Sequence, residues 1–120
     1  MYEYKAKVVR IIDGDSIELD IDLGFDIVLS KQNVRLYGVD APESRTRDLV
    51  EKEKGLRAKA RVEELLASTN GNFILYSKGV GKYGRCLGEI KIERSVQDVI
   101  NLNELLINEG LAVSYDGGKR

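Results

Sequence analysis

The chain has 120 residues, 42% of them apolar and 32% charged, which suits one soluble globular domain with its own core and leaves little room for a second. It contains no histidine and a single cysteine, Cys86, which excludes a Ser-His-Asp triad, a histidine-dependent nuclease, a structural zinc site and an internal disulfide framework. Without histidine, catalysis has to run on carboxylate, Arg, Lys, Tyr or Ser groups, and any metal has to be hard and oxygen-liganded, while nineteen basic and twenty acidic residues give a net charge of −1 that predicts no polyanionic partner by itself.

In chain order, Tyr4–Ile12 is rich in β-branched residues and reads as a strand that the turn signal Asp13-Gly14-Asp15 ends. From Ser16 to Leu23 the pattern alternates, with Ile17, Leu19, Ile21 and Leu23 on one face and Glu18, Asp20 and Asp22 on the other, predicting a half-buried strand paired to the first. Gly24-Phe25-Asp26 turns the chain into Ile27-Val28-Leu29, and a polar step over 30–33 leads to a third main strand, Val34–Val39, which Pro42 closes. The densely charged stretch from Ser44 to Lys54 reads as a mobile loop leading into a helix. From Gly55 to Ala67 the period becomes helical, with Gly55, Ala58, Val62, Leu65 and Leu66 on one face.

Strand signals return at Phe73–Tyr76, a Gly-rich basic loop covers 77–85, and Cys86–Ile92 reads as a further strand. Asn101 caps a short helix with Glu104 at the capping-box position, Leu102, Leu105 and Leu106 inward, and Gly110 as terminator. Three strands, a helix, two more strands and a late helix follow the order of an OB-fold, a mainly β class counted as α+β in some schemes. The expectation is one domain over residues 1–120. No apolar run approaches a membrane span, and the first residues lack a secretory stretch. The chain as given therefore reads as cytoplasmic, with a secreted parent stripped of its signal as the alternative.

Charge is unevenly spread. Residues 1–30 carry three bases against seven acids and residues 31–90 twelve against eight, so the middle of the chain can present a local phosphate-binding face. The polar groups there form clusters: Asp13-Gly14-Asp15-Ser16; Arg35 followed by Asp40-Ala41-Pro42-Glu43; and Lys82-Tyr83-Gly84-Arg85. Taken singly, an Asp-Gly turn or a basic hairpin loop is ordinary turn chemistry.

Jointly and in this order, with Asn103-Glu104-x-Leu106 and Gly110-Leu111-Ala112 behind them, they resemble the staphylococcal nuclease-like (thermonuclease) family from about Val8 to Tyr115. The resemblance implies a five-stranded Greek-key OB barrel with two or three packed helices, and a Ca2+ ion held by Asp15, Asp40 and the main-chain carbonyl of Ala41, with Asp13 supporting. It implies Glu43 as the general base on a water, Arg35 and Arg85 as the phosphate-gripping arginines, and Lys82, Tyr83 and Tyr115 as nucleotide contacts. The implied substrates are DNA and RNA, single-stranded or frayed, cut with little sequence preference to leave 3′-phosphates. The protein is expected to be a monomer without membrane contact. Calcium and two guanidiniums meet the need of an anionic phosphodiester for aimed positive charge without any histidine.

Ser16 and Ala41 stand where the family more often has Thr, and the chain ends soon after Tyr115, without the basic C-terminal extension of the secreted bacterial enzymes. Weaker, more salt-sensitive retention on long nucleic acid is the expectation. The rival reading is an OB module that binds single strands without cutting them.

Overall fold

The protein is described here by a computed structural model covering residues 2–69, 72–80, 85–95 and 97–115. Strands β1 (Tyr2–Asp13), β2 (Ser16–Gly24) and β3 (Ile27–Leu36) form an antiparallel meander, and the short β4 (Val39–Asp40) precedes helix α1 (Leu49–Ala67). Then come β5 (Asn72–Val80), β6 (Cys86–Ser95), β7 (Asp98–Asn101), helix α2 (Leu102–Asn108) and β8 (Val113–Ser114). The main sheet runs β3-β2-β1-β5-β6-β7, and β3 also pairs with β6. That extra pairing closes β1, β2, β3, β6 and β5 into a five-stranded barrel, the OB architecture expected from the element order. The closing seam is parallel and three pairs long: Val34 with Cys86, Arg35 with Leu87, Leu36 with Gly88.

The barrel interior is filled from alternating strand positions: Ile17, Leu19 and Ile21 of β2, Val34 and Leu36 of β3, Leu75 of β5, and Ile90 and Ile92 of β6. Helix α1 closes one end with Ala58, Val62, Leu65 and Leu66, and α2 adds Leu102 and Leu106, while Leu105 is only half-buried. Among the described residues there are these two helices and no third, and neither is long and apolar enough to cross a membrane.

The strand and helix expectations need correction at several points: β3 takes in the polar step over 30–33 and stops short of Val39, which falls in β4, and β5 runs on to Val80 through residues that read as a loop. Leu23 is exposed, although the alternation places it with Ile17 and Ile21, because the β2–β3 hairpin runs past the end of the core. At its tip Phe25 and Asp26 both have positive φ, 55° and 60°, the pattern of a two-residue primed turn. The charged stretch after Ser44 is not a loop as far as Lys54. Helix α1 starts at Leu49, capped by Asp48, whose carboxylate accepts from the Val50 and Glu51 amides. Finally β4, β7 and β8, too short to show a period, add to the five principal strands. At the second helix the cap stands as expected: Asn101 accepts from the Glu104 amide at 3.2 Å, and Gly110 has φ 75°.

Candidate active site

The β1–β2 turn, the end of β3 and the segment after β4 meet at one rim of the barrel, and Asp15 ties them together. Its main-chain carbonyl accepts from the Leu36 amide at 2.9 Å. One carboxylate oxygen accepts from the Ala41 amide and from Arg35 Nη1, both at 2.9 Å, and the other takes a longer bond from Ser16 Oγ at 3.3 Å. Arg35 also reaches Asp40 Oδ1 with Nη2 at 3.8 Å. The three side chains are little exposed, at 14% for Arg35, 9% for Asp15 and 16% for Asp40. Two carboxylates face one guanidinium in a poorly hydrated place, where charge interactions are stronger than in bulk water.

Arg35 is also held from below. β8 pairs with β4, and the Tyr115 amide donates to the Gly38 carbonyl at 2.9 Å. This sets the Tyr115 ring under the Arg35 guanidinium carbon at 5.3 Å from the ring centre, a cation–π contact. Arg85 is half-buried and directly precedes β6. Its neighbour Cys86 pairs with Val34 on the parallel seam, which brings residue 85 to the strand that carries Arg35.

Glu43 is exposed, but the backbone that carries it is fixed. Its neighbour Ser44 is buried, donates its amide to Asp13 Oδ1 at 3.1 Å, makes a short hydroxyl bond to the same oxygen, and reaches the Ile12 carbonyl at 3.4 Å. From the other side α1 presses its backbone against this segment at Gly55. A Cβ there would lie 2.7 Å from the Ser44 amide nitrogen and against the Glu43 carbonyl. Gly14 makes the matching approach, since a Cβ on it would lie 2.7 Å from Ala58 Cβ and 3.0 Å from Ala41 Cβ. Small residues on the helix and on both acidic turns thus let α1 seat Asp13, Asp15 and Glu43 in one packed unit.

The structure therefore joins Asp15, Arg35, Asp40, Ala41 and Tyr115 in one cluster, with Asp15, Asp40 and Tyr115 on Arg35 and Ala41 on Asp15, Glu43 in the adjoining segment and Arg85 just before β6. Lys82 and Tyr83 lie outside the described residues. Asp13 anchors Ser44, in keeping with a supporting place. No group of three or more acidic side chains positioned for a metal occurs among the described residues. A cation here would rest on the Asp15–Asp40 pair plus main-chain oxygen and water.

The sequence reading did not find Ser44, which sits in a charged run with nothing to mark it as buried. Asn103 was noticed only as part of a pattern. It is buried at the head of α2, where it accepts from the Ile90 amide at 3.2 Å and donates to the Tyr37 and Gly88 carbonyls at 2.9 and 3.1 Å. It binds α2 to the turn after β3, the strand that carries Arg35, and to β6, which Arg85 precedes. Its tie to Tyr37 is two residues from Arg35.

Comparison with known proteins shows the family of the chain. A family model described as "Staphylococcal nuclease homologue" matches residues 33–119. The chain belongs to that family. Among curated proteins it is 30% identical over 119 residues to a micrococcal nuclease of Shigella flexneri, covering 94% of this chain and 59% of that one. It is 29% identical over 119 residues to Protein ParB of Escherichia coli (94% and 58%). With a thermonuclease of Staphylococcus hyicus it shares 30% identity over 110 residues (92% and 59%). The chain thus spans about three-fifths of the length of these relatives. The family match begins at residue 33, so it takes in Arg35, Asp40, Glu43 and Arg85, whereas Asp13 and Asp15 lie before it.

Proposed function

We propose that the protein is a phosphodiesterase that hydrolyses DNA and RNA with little sequence preference. The observation that carries this reading is the convergence of Asp15, Arg35 and Asp40 beside exposed Glu43, in a chain with nuclease-named relatives. A phosphodiester is anionic and repels an incoming nucleophile, so its cleavage needs cationic donors aimed at the phosphoryl oxygens. Arg35 has five N–H donors in a fixed fork. With one nitrogen on Asp15 and one near Asp40 it still has donors to offer a phosphate, while those contacts and the Tyr115 ring set its direction. Arg85 supplies the second grip. Glu43 accepts a proton from the water that attacks phosphorus, and the O5′–P bond breaks to leave a 5′-hydroxyl and a 3′-phosphate.

The acidic pair suits a hard divalent ion: both carboxylates converge on one place, and calcium accepts irregular sets of carboxylate, carbonyl and water oxygens. Asp15, Asp40 and the Ala41 carbonyl would hold it. When bound, calcium supplies positive charge against the charge that develops on the phosphoryl oxygens. Single strands are the expected substrate, because the scissile phosphate has to enter the rim and bases can stack on tyrosine. All these groups come from one chain, so a monomer suffices.

The test is cleavage of denatured DNA and RNA, with calcium and then with a chelator. Activity is expected only with calcium and should fall at least about a hundredfold in Glu43→Gln. Wild-type protein that binds single strands but leaves them intact would make it a binding module instead.

A further inference from the structure

Beyond the rim, Tyr37 has no part in the reaction just described, yet it stands beside the site with an unusual setting. Tyr37 lies two residues past Arg35, in the turn that follows β3. The Tyr37 side chain is half in solvent, at 50% exposure, while its backbone is clamped on both sides. Its amide donates to the Gly88 carbonyl at 2.8 Å and its carbonyl accepts from Asn103 Nδ2 at 2.9 Å. The next residue, Gly38, accepts the Tyr115 amide, so the ring lies one residue from the pairing that seats Tyr115 under Arg35. Lys78 Nζ stands 5.6 Å from the centre of the Tyr37 ring. It is fixed by Glu89 Oε1 at 2.8 Å, and Glu89 in turn accepts from Asn101 Nδ2 at 2.9 Å.

A large aromatic surface exposed on an immobile backbone loses little entropy on capturing a flat partner. Lys78 with Glu89 is locally neutral, so the platform does not repel a phosphate and keeps an ammonium within reach of one. We propose that Tyr37 and Lys78 form a subsite for the nucleotide next to the one at Arg35, with the base stacked on Tyr37 and its phosphate near Lys78. The proposal rests on the nuclease reading above and adds to it a second base-binding position on the strand.

The test compares wild type, Tyr37→Ala, Tyr37→Leu and Tyr37→Phe on a thymidine dinucleotide and a single-stranded thymidine octamer with calcium, reading KM and kcat separately. Loss of one base–aromatic stack is expected to raise the octamer KM about five- to tenfold in Tyr37→Ala and Tyr37→Leu. The octamer kcat should be unchanged, the dinucleotide KM unmoved and Tyr37→Phe close to wild type. Leucine keeps the apolar bulk, so Tyr37→Leu decides the matter if Tyr37→Ala fails to fold. In Lys78→Gln the salt dependence of octamer binding should lose about 0.7 of its log–log slope, the share of one single-strand phosphate. A wild type that cuts both substrates while Tyr37→Leu keeps its octamer KM, or an equal rise on both substrates, overturns the subsite. A wild type that neither cuts nor binds overturns the nuclease reading beneath it.

Discussion

Replacing Gly55 by alanine sets two effects of opposite sign against each other at one atom. Within a solvated helix the change would be favourable, since glycine costs about 1 kcal/mol relative to alanine in a helix interior. Gly55, however, is a buried position of α1, and its Cβ would sit 2.7 Å from the Ser44 amide nitrogen and against the Glu43 carbonyl. Those are main-chain atoms, and Ser44 is pinned to Asp13 by its amide and its hydroxyl, so neither side yields by rotating a side chain. Overpacking of this kind costs about 1–3 kcal/mol, which exceeds or matches the gain in propensity and leaves a net loss of about 0–2 kcal/mol.

Chemical denaturation measures the difference, with an unchanged slope on denaturant showing that stability alone has moved. Turnover on denatured DNA should fall as well, because the relief available is displacement of the segment that carries Glu43. A displacement on the order of 1 Å in a reacting group can cost a hundredfold. A Gly55→Ala protein more stable than wild type by about 1 kcal/mol, with full activity, would show that α1 is not seated against Glu43 and would refute the reasoning.

Asn103→Ala strands the Ile90 amide and removes a donor from the Tyr37 carbonyl, while the Gly88 carbonyl keeps the Tyr37 amide. A loss of about 2–4 kcal/mol is expected from these buried groups, read as a lower denaturation midpoint. Arg35→Lys keeps the charge but not the fork, so Asp15 and Asp40 can no longer share one group at two nitrogens. Stability should fall by about 1.5 kcal/mol and activity much further, measured on the same samples.

The pH prediction concerns Glu89, whose carboxyl lies below its ordinary 4.5 chiefly because the Lys78 ammonium bonds to it, with the Asn101 amide adding to this against the opposing effect of burial. A depressed carboxylate stabilises the folded state above the unfolded value and loses that contribution as pH falls through the folded one. Unfolding free energy in Glu89→Gln should therefore decline less than wild type between pH 5 and the acid limit. Parallel curves would contradict the assignment.

The strands and helix faces that fill the core were legible because burial imposes a period. Ile17, Leu19 and Ile21 alternate, and Ala58, Val62, Leu65 and Leu66 recur at helical spacing, each because one face of the element meets the core. Leu23 follows the same alternation yet lies outside, since a period tells which face a residue occupies but not where the core beneath that face stops. The start of α1 was misplaced because its first residues, Leu49–Lys54, bury almost nothing, and the Asp48 cap is a single residue lost among other charges.

The candidate cluster was readable through its order along the chain rather than through any one motif. Asp13-Gly14-Asp15 alone is a turn, and only with Arg35, Asp40 and Glu43 does it point to phosphoryl chemistry. Ser44 and Asn103 stayed hidden for a shared reason. Each is a polar residue buried by hydrogen bonds to segments distant in sequence, Ser44 to Ile12 and Asp13, Asn103 to Tyr37, Gly88 and Ile90. No local pattern records such partners.

The parallel seam between β3 and β6 has a kinetic meaning. Its pairs join residues 34–36 to residues 86–88, across a stretch of chain that includes α1 and β5. Such a long loop yields no reward in contacts until it closes. The β1–β3 meander needs only tight turns and can form early; Asp15 then already faces Arg35 across the β2–β3 ladder, where Ser16 pairs with Arg35. The chain around Arg85 is brought to β3 only when the seam zips. During refolding, strand content and the acidic half of the site should therefore appear first, and a tight grip on phosphate should arrive last, as the signal that the barrel has shut.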